Sequence, residues 1–195
     1  EFDAHTEAEV EARIAAAQAA FEELRGTTFA QRAEWMNAAA QILEDEVDEL
    51  GRLITLEMGR PIKGAKAEVL KCAKGLRYYA DNAEDLLAPE ELADPSIVGA
   101  SKAGTRYAPI GVVLAVMPWN YPLWQVLRFA APAFMAGNGA LLKHASNVTG
   151  CALAIEELFV RAGYPDNLFR TLRIRSDAVE SVLDLPSVGL CWDIG

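Results

Sequence analysis

Apolar residues in the first part of the chain recur at helical intervals: after Thr6, Val10, Ile14, Ala17, Phe21 and Leu24 follow at spacings of four and three. This is the stripe of an amphipathic helix. Thr6 and Glu9 stand at capping-box spacing at its start, and Gly26 ends it. Thr28 with Gln31 opens the next helix, whose apolar face runs through Trp35, Met36, Ala39, Ile42, Leu43, Val47 and Leu50. The acidic run from Glu44 to Glu49 forms its solvated side. Gly59-Arg60-Pro61 breaks the pattern. A further helix over 62–87 then carries Val69, Cys72, Leu76, Tyr79 and Ala83 toward a core.

After Pro89 the character changes. Pro95, Gly99 and Gly104 punctuate two short segments, Ile97 to Ser101 and Thr105 to Ala108, which predict a β-ribbon extending from the main body. Gly111-Val-Val-Leu-Ala-Val-Met117 is a continuous apolar run of strand length, as expected of a parallel strand covered on both faces. Helical and strand-like stretches alternate from there: a helix from Leu123 to Met135, a strand from Ala140 to Lys143, and a helix from Val148 to Arg161 ended by Gly163. A strand from Leu168 to Leu172, a short helix from Asp177 to Leu183 and a strand from Val188 to Trp192 complete the series. Repeated βα units predict an α/β fold, with N-terminal helices followed by a doubly wound parallel sheet that binds ligands at the carboxyl ends of its strands. The chain accordingly divides into a helical part (1–95), the ribbon (96–109) and a parallel α/β part (110–195).

Charge and composition narrow the partners. The formal net charge of −10 disfavours nucleic acid and anionic membrane surfaces, because phosphate attraction needs clustered Lys and Arg. No apolar run reaches the roughly 18 residues a membrane helix needs, and the acidic N-terminus is the reverse of a signal peptide, so a cytoplasmic protein is expected. Cys72, Cys151 and Cys191 are widely spaced, with no CxxC and no neighbouring histidine pair. Reduced thiols and no metal site are the expectation. The sequence starts at Glu1 without an initiator Met, within the lead-in to a helix, and is expected to be a fragment or a processed chain.

In a doubly wound sheet, chemistry concentrates in the loops after the first and second strands. The first reads Pro118-Trp119-Asn120-Tyr121-Pro122. Asn120 has two roles open to it: an Asx-turn that caps the following helix, which spacing favours, or an amide that donates to oxygen charge developing in a transition state. The second loop reads Lys143-His144-Ala145-Ser146-Asn147. Its lysine either snorkels to the surface, with Ser146 or Asn147 as an ordinary helix cap, or reaches a ribose or phosphate. Neither GxGxxG nor GxxxxGK[ST] follows either strand, so a dinucleotide would be held without a glycine fingerprint.

The segment Tyr107 to Pro122, followed by Leu141 to Asn147, resembles the aldehyde dehydrogenase superfamily, for which the Pro-Trp-Asn-Tyr-Pro turn is highly specific. Ala67 to Lys74, Arg77 to Ala80, Val98 to Ser101 and Lys143 to Ser146 resemble the bacterial succinate-semialdehyde dehydrogenases in particular, and the similarity runs from Phe2 to about Thr171. The resemblance implies an NADP or NAD cofactor lying across the sheet against Val116, Met117, Pro118, Trp119 and Asn120, and along Lys143, His144, Ala145 and Ser146. Lys143 would bond the adenosine ribose. Ser146 stands where NAD-preferring relatives carry Glu. Asn120 would form half of an oxyanion hole, and His144, which replaces a common proline, has no catalytic role. Arg128 lies eight residues after Asn120, with Trp124 one helical turn before it. By spacing Arg128 solvates an outer face or makes a surface ion pair; the resemblance implies that it binds the distal carboxylate of the substrate beside Trp124.

The departures from the family pattern are equally specific. Its nucleophilic Cys, in a G-Q-x-C context, and its general-base Glu both lie beyond a second glycine motif, F-T-G-S, whose glycine Gly195 would match. Arg173 and Arg175 stand where an apolar residue and a glycine are expected, and Cys191 lacks the nucleophile's neighbours. The implied parent is an oxidoreductase that converts a small aldehyde, foremost succinate semialdehyde, to its acid. It is expected to be a dimer or tetramer paired through the ribbon. The 195 residues alone lack the thiolate that covalent chemistry requires. Two rival readings are a truncated, non-catalytic nucleotide-binding or regulatory relative, and a helical interaction protein supported by the first 88 residues.

Overall fold

The structure is a computed structural model describing residues 2–185 and 188–193. Four helices come first: α1 (Glu7–Leu24), α2 (Phe29–Asp45), α3 (Val47–Met58) and α4 (Ile62–Leu86). The capping box at the start of α1 is formed in both directions, with the Thr6 hydroxyl accepting from Glu9 N–H and the Glu9 carboxylate accepting from Thr6 N–H. Thr28 caps α2 by accepting from Gln31 N–H. The helix expected to run continuously past Val47 is two. Glu46 (φ −104°, ψ 21°) leaves helical geometry between α2 and α3, so Val47 starts a new helix and the buried positions Leu50 and Ile54 are carried on it. Gly59, at φ 78°, ends α3 in the left-handed conformation that glycine adopts without a side-chain clash.

The ribbon is displaced from its expected position. Its strands are β1 (Glu90–Glu91) and β2 (Gly104–Thr105), paired antiparallel, whereas Ile97 to Ser101 forms no strand and Thr105 to Ala108 only touches one. Asp94 accepts from Ser96 N–H and Pro95 fixes its own φ, so the residues Pro95–Val98 wind into a 3₁₀ turn instead.

The main sheet comprises β3 (Val112–Met117), β4 (Gly139–His144), β5 (Phe169–Thr171) and β6 (Val188–Asp193), in the order β5-β4-β3-β6 with every pairing parallel. Helix α5 (Trp124–Met135) joins β3 to β4, α6 (Thr149–Arg161) joins β4 to β5, and α7 (Val179–Leu183) precedes β6. The chain moves outward from β3 to β5 and then returns on the far side of β3. A topological switch point therefore lies between β3 and β6, and such a crevice is where this architecture takes ligands. The expected α/β fold with N-terminal helices and a doubly wound parallel sheet is the fold observed.

Side-chain alternation sorts the strands between two apolar clusters. Val112, Leu114 and Leu141 pack with Val10, Ile14, Ala17 and Phe21 of α1 and Val182 of α7. Val113, Ala115, Met117, Ala140 and Leu142 face the other way, into a larger cluster built with α2 to α6. Covering on both faces explains why β3 reads as an unbroken apolar run.

Candidate active site

The Pro118–Pro122 turn leaves the carboxyl end of β3 at the switch point and leads into α5. Trp119 is half exposed, and Asn120 lies exposed with a side chain that bonds no described residue. The Asx-cap role favoured by spacing is not adopted: α5 has no capping side chain of its own. Its first N–H groups are satisfied from α4, where Oε1 of Glu68 accepts from Leu123 N–H and Trp124 N–H, each at 3.0 Å. Glu68 is buried, and burial pushes its carboxyl pKa upward, against the opposing pull of those two N–H groups and of Arg60.

The second loop is organised in the same way. Ser146 and Asn147 do not cap α6; Glu57 of α3 does, its two oxygens accepting from Gly150 N–H and Cys151 N–H at 2.8 Å each. Gly150 permits this approach, because a Cβ there would meet Glu57 Oε1 at 2.6 Å. The N-termini of α5 and α6 thus each hold a carboxylate. An anionic pyrophosphate, which Rossmann-type sheets often seat at such a terminus, meets negative charge at each of these.

Glu57 and Glu68 escaped the sequence reading. A signal existed for Glu68: it lies on the buried stripe of α4 between Ala65 and Cys72, where a charge must have partners. Nothing in the sequence near Glu57 indicates Gly150, 93 residues away.

The remaining candidates separate by strand face. Val116 and Lys143 are register partners, half buried on the α1/α7 side, and Lys143 Nζ lies 3.2 Å from Ser176 Oγ. Met117 and His144 are the next register pair and point into the larger core, so their side chains do not join Val116 and Lys143. His144 Nε2–H donates to the Pro122 carbonyl, which can only accept, at 2.9 Å, and Nδ1 lies 3.0 Å from Ala145 N and 3.2 Å from the Met117 carbonyl. Burial holds its pKa below the usual histidine value, so the ring is a neutral link between the end of β4 and the turn after β3.

Ser146 is exposed, beside a cavity of about 280 Å³ at the carboxyl ends of β4 and β5 that is also lined by His144, Thr149, Arg173 and Arg175. No carboxylate lines this cavity among the described residues.

On α5, Trp124 is half buried against α4, with Lys71 Nζ 3.8 Å from the centre of one of its rings. Arg128, one turn on, is exposed and forms no ion pair with any described residue. The thiols of Cys72 and Cys151 are buried and pushed up in pKa, first by burial and then by neighbouring carboxylates, the reverse of an activated nucleophile. The expected match of Gly195 to a second glycine motif lies outside the described residues.

Known proteins share both sequence and geometry. The chain is 58% identical over 187 residues to succinate-semialdehyde dehydrogenase [NADP(+)] 1 of Mycobacterium tuberculosis, covering 96% of this chain and 41% of that protein. It is 60% identical over 188 residues to the enzyme of the same name from Mycobacterium ulcerans, again covering 41% of the relative. Succinic semialdehyde dehydrogenase from Streptococcus pyogenes, solved in complex with NADP+, superposes with a TM-score of 0.91 at 32% identity, covering 98% of this chain and 42% of that one. The chain thus spans about two fifths of the length of these relatives. The model of the aldehyde dehydrogenase family matches residues 1–191, past the expected limit near Thr171 and into β6. Since that match takes in the turn after β3, the strands on either side of it and the helices whose carboxylates cap α5 and α6, this chain belongs to the aldehyde dehydrogenase family.

Proposed function

We propose that this sequence forms the cofactor-side part of an NADP-accepting dehydrogenase that oxidises succinate semialdehyde to the acid. The observation that carries the reading is Arg128: an exposed guanidinium without an ion-pair partner among the described residues, on the helix that leaves the Asn120 turn. A planar fork of donors suits a substrate carboxylate. The 58% identity to NADP-dependent succinate-semialdehyde dehydrogenases supports the same substrate and favours an enzyme over a non-catalytic relative.

The polar groups at the strand ends fit a dinucleotide. Lys143 and Ser146 would hold the adenosine ribose and its phosphate, next to a cavity bearing Arg173 and Arg175 and no described carboxylate. Val116, Met117, Pro118, Trp119, His144 and Ala145 would line or back its path. When bound, the nicotinamide supplies the hydride acceptor. The amide of Asn120 donates a hydrogen bond to the aldehyde oxygen as negative charge builds on it, at the mouth of the crevice between β3 and β6. The nucleophile and general base of the family are not among residues 1–195, so turnover requires the segment that carries them. The exposed Ile97, Val98, Tyr107 and Ile110 around the ribbon support self-association of a cytoplasmic enzyme into a dimer or tetramer.

The test is steady-state kinetics of the full-length enzyme. Arg128→Ala should raise KM for succinate semialdehyde at least tenfold, the cost on the order of 1.5–3 kcal/mol of a charge-assisted hydrogen bond, and leave butanal nearly unchanged. Arg128→Lys should restore part of the loss. Equal losses on both aldehydes would remove the carboxylate-binding role and leave an aldehyde dehydrogenase of other specificity.

A further inference from the structure

Each residue from Asn120 to Trp124 is held by a group from outside the turn. Arg60 Nη2 donates to the Asn120 carbonyl at 3.0 Å, and the same guanidinium lies 3.7 Å from the ring centre of Tyr121. His144 Nε2 donates to the Pro122 carbonyl, and Glu68 takes the N–H groups of Leu123 and Trp124. Arg60 and Glu68 are themselves joined: Arg60 Nη1 donates to Glu68 Oε2 at 2.6 Å, and the carboxylate side chain is fully buried. The Asn120 amide is left without a described partner at the centre of this grip.

As a stability device the pair is a poor choice. Taking a carboxylate out of water costs several kcal/mol, whereas a Ser or Asp at the start of α5 would cap it for a gain of about 1 kcal/mol. What the pair does that a local cap would not is fix the turn from α4 and the link before it while leaving the side-chain amide of Asn120 without a described partner.

We propose that Arg60 and Glu68 are positioning residues that aim the Asn120 amide at the oxyanion. This rests on the reading of Asn120 as the oxyanion donor. A catalytic donor must sit within a fraction of an ångström of its place, and a misplacement of about 1 Å costs up to 10²-fold in rate. A turn rich in exposed residues does not supply that rigidity by itself. Arg60 contacts two successive turn residues, and Glu68 fixes both Arg60 and the helix that follows.

The test is a double-mutant cycle in the full-length enzyme, with kcat measured at saturating cofactor and aldehyde and the NADP dissociation constant measured by titration. Arg60→Met keeps the stem and removes both donors. Glu68→Gln keeps Oε1 for the two N–H groups but turns a donor toward Arg60. Each should lower kcat about 10- to 100-fold, with KM and the NADP dissociation constant changed less than threefold. Arg60→Lys should recover part of the loss, since an ammonium cannot reach Glu68, the Asn120 carbonyl and Tyr121 together.

In an Asn120→Ala background, itself lowered by roughly 10²–10³, either substitution should change kcat less than twofold. Arg77→Met, which breaks an ion pair from α4 to Glu44 of α2, is the control for general loss of stability. Should Arg60→Met fail to fold, Glu68→Gln carries the same test. An unchanged kcat, or equal factors in both backgrounds, overturns the positioning role while Asn120 stands. If Asn120→Ala alone keeps full turnover, the oxyanion reading falls and the proposal falls with it.

Discussion

At the scale of single residues, polar groups at the strand ends divide into those the fold consumes and those it leaves available. His144, Glu57 and Glu68 are consumed in holding backbone. Asn120 and Ser146 are not drawn into capping, because the helices they adjoin are capped by carboxylates from α4 and α3, and Arg128 is exposed on α5. The Pro-bracketed turn and the lysine at the end of a buried strand are legible as short motifs, and Arg128 is singled out by the resemblance alone. Arg60 and Glu68 are not legible in this way, since their partners lie 55 to 60 residues away. Ser146 carries a prediction about cofactor choice. A carboxylate about 4 Å from an adenosine 2′-phosphate would cost on the order of 4 kcal/mol at an effective dielectric near 20. Ser146→Glu in the full-length enzyme should therefore shift the ratio of kcat/KM for NADP over NAD toward NAD by at least tenfold. An unchanged ratio would place the 2′-phosphate elsewhere.

At the scale of elements, helix α1 was read correctly from the Thr6–Glu9 box and its apolar stripe because every interaction that defines it is local. The break at Glu46 and the pairing of β1 with β2 differ from what local pattern predicts. At Glu46 the acidic run is compatible with a continuous helix, and the kink is set where α2 and α3 both pack against α4. In the ribbon, the Asp94-Pro95 turn diverted residues that alternation alone assigned to a strand. The joint between β4 and the turn after β3 has a testable pH signature. Both histidines, His5 and His144, have pKa values held below the ordinary 6.5, each chiefly by burial. As pH falls past that value the unfolded chain takes up protons that the folded chain refuses, so this stability is complete above about pH 6.5 and is lost below it. One such histidine can contribute at most about 1.4 kcal/mol per pH unit, and Glu68, shifted upward, acts with the opposite sign. Urea unfolding between about pH 7.5 and 5.5 should show a smaller pH slope for His144→Gln than for the native sequence. Identical slopes would mean that His144 titrates normally.

At the scale of the whole molecule, two apolar clusters share one sheet. Ile14 anchors α1 to the face formed by Val112, Leu114 and Leu141. Phe134 stands among Phe159, Tyr164 and Phe169 behind the other face, with ring centres 4.7 to 6.3 Å from its own. Because β3 and β4 contribute to both clusters, truncations on either side should lower one common transition. Ile14→Ala is expected to cost about 2–5 kcal/mol and Phe134→Ala about 3–5 kcal/mol in urea unfolding. Far-UV circular dichroism and tryptophan fluorescence should give coincident curves for each variant; separate midpoints would show that the faces unfold independently. The sequence by itself determined the starts of α1, α2 and α4, the buried strands and the doubly wound class, because periodicity, caps and breakers act over a few neighbouring residues. Only the tertiary structure decided which polar side chains remain available for chemistry. That depends on whether a distant group satisfies the backbone first: Glu68 reaches α5, and Glu57 reaches α6, across contacts that no local pattern encodes.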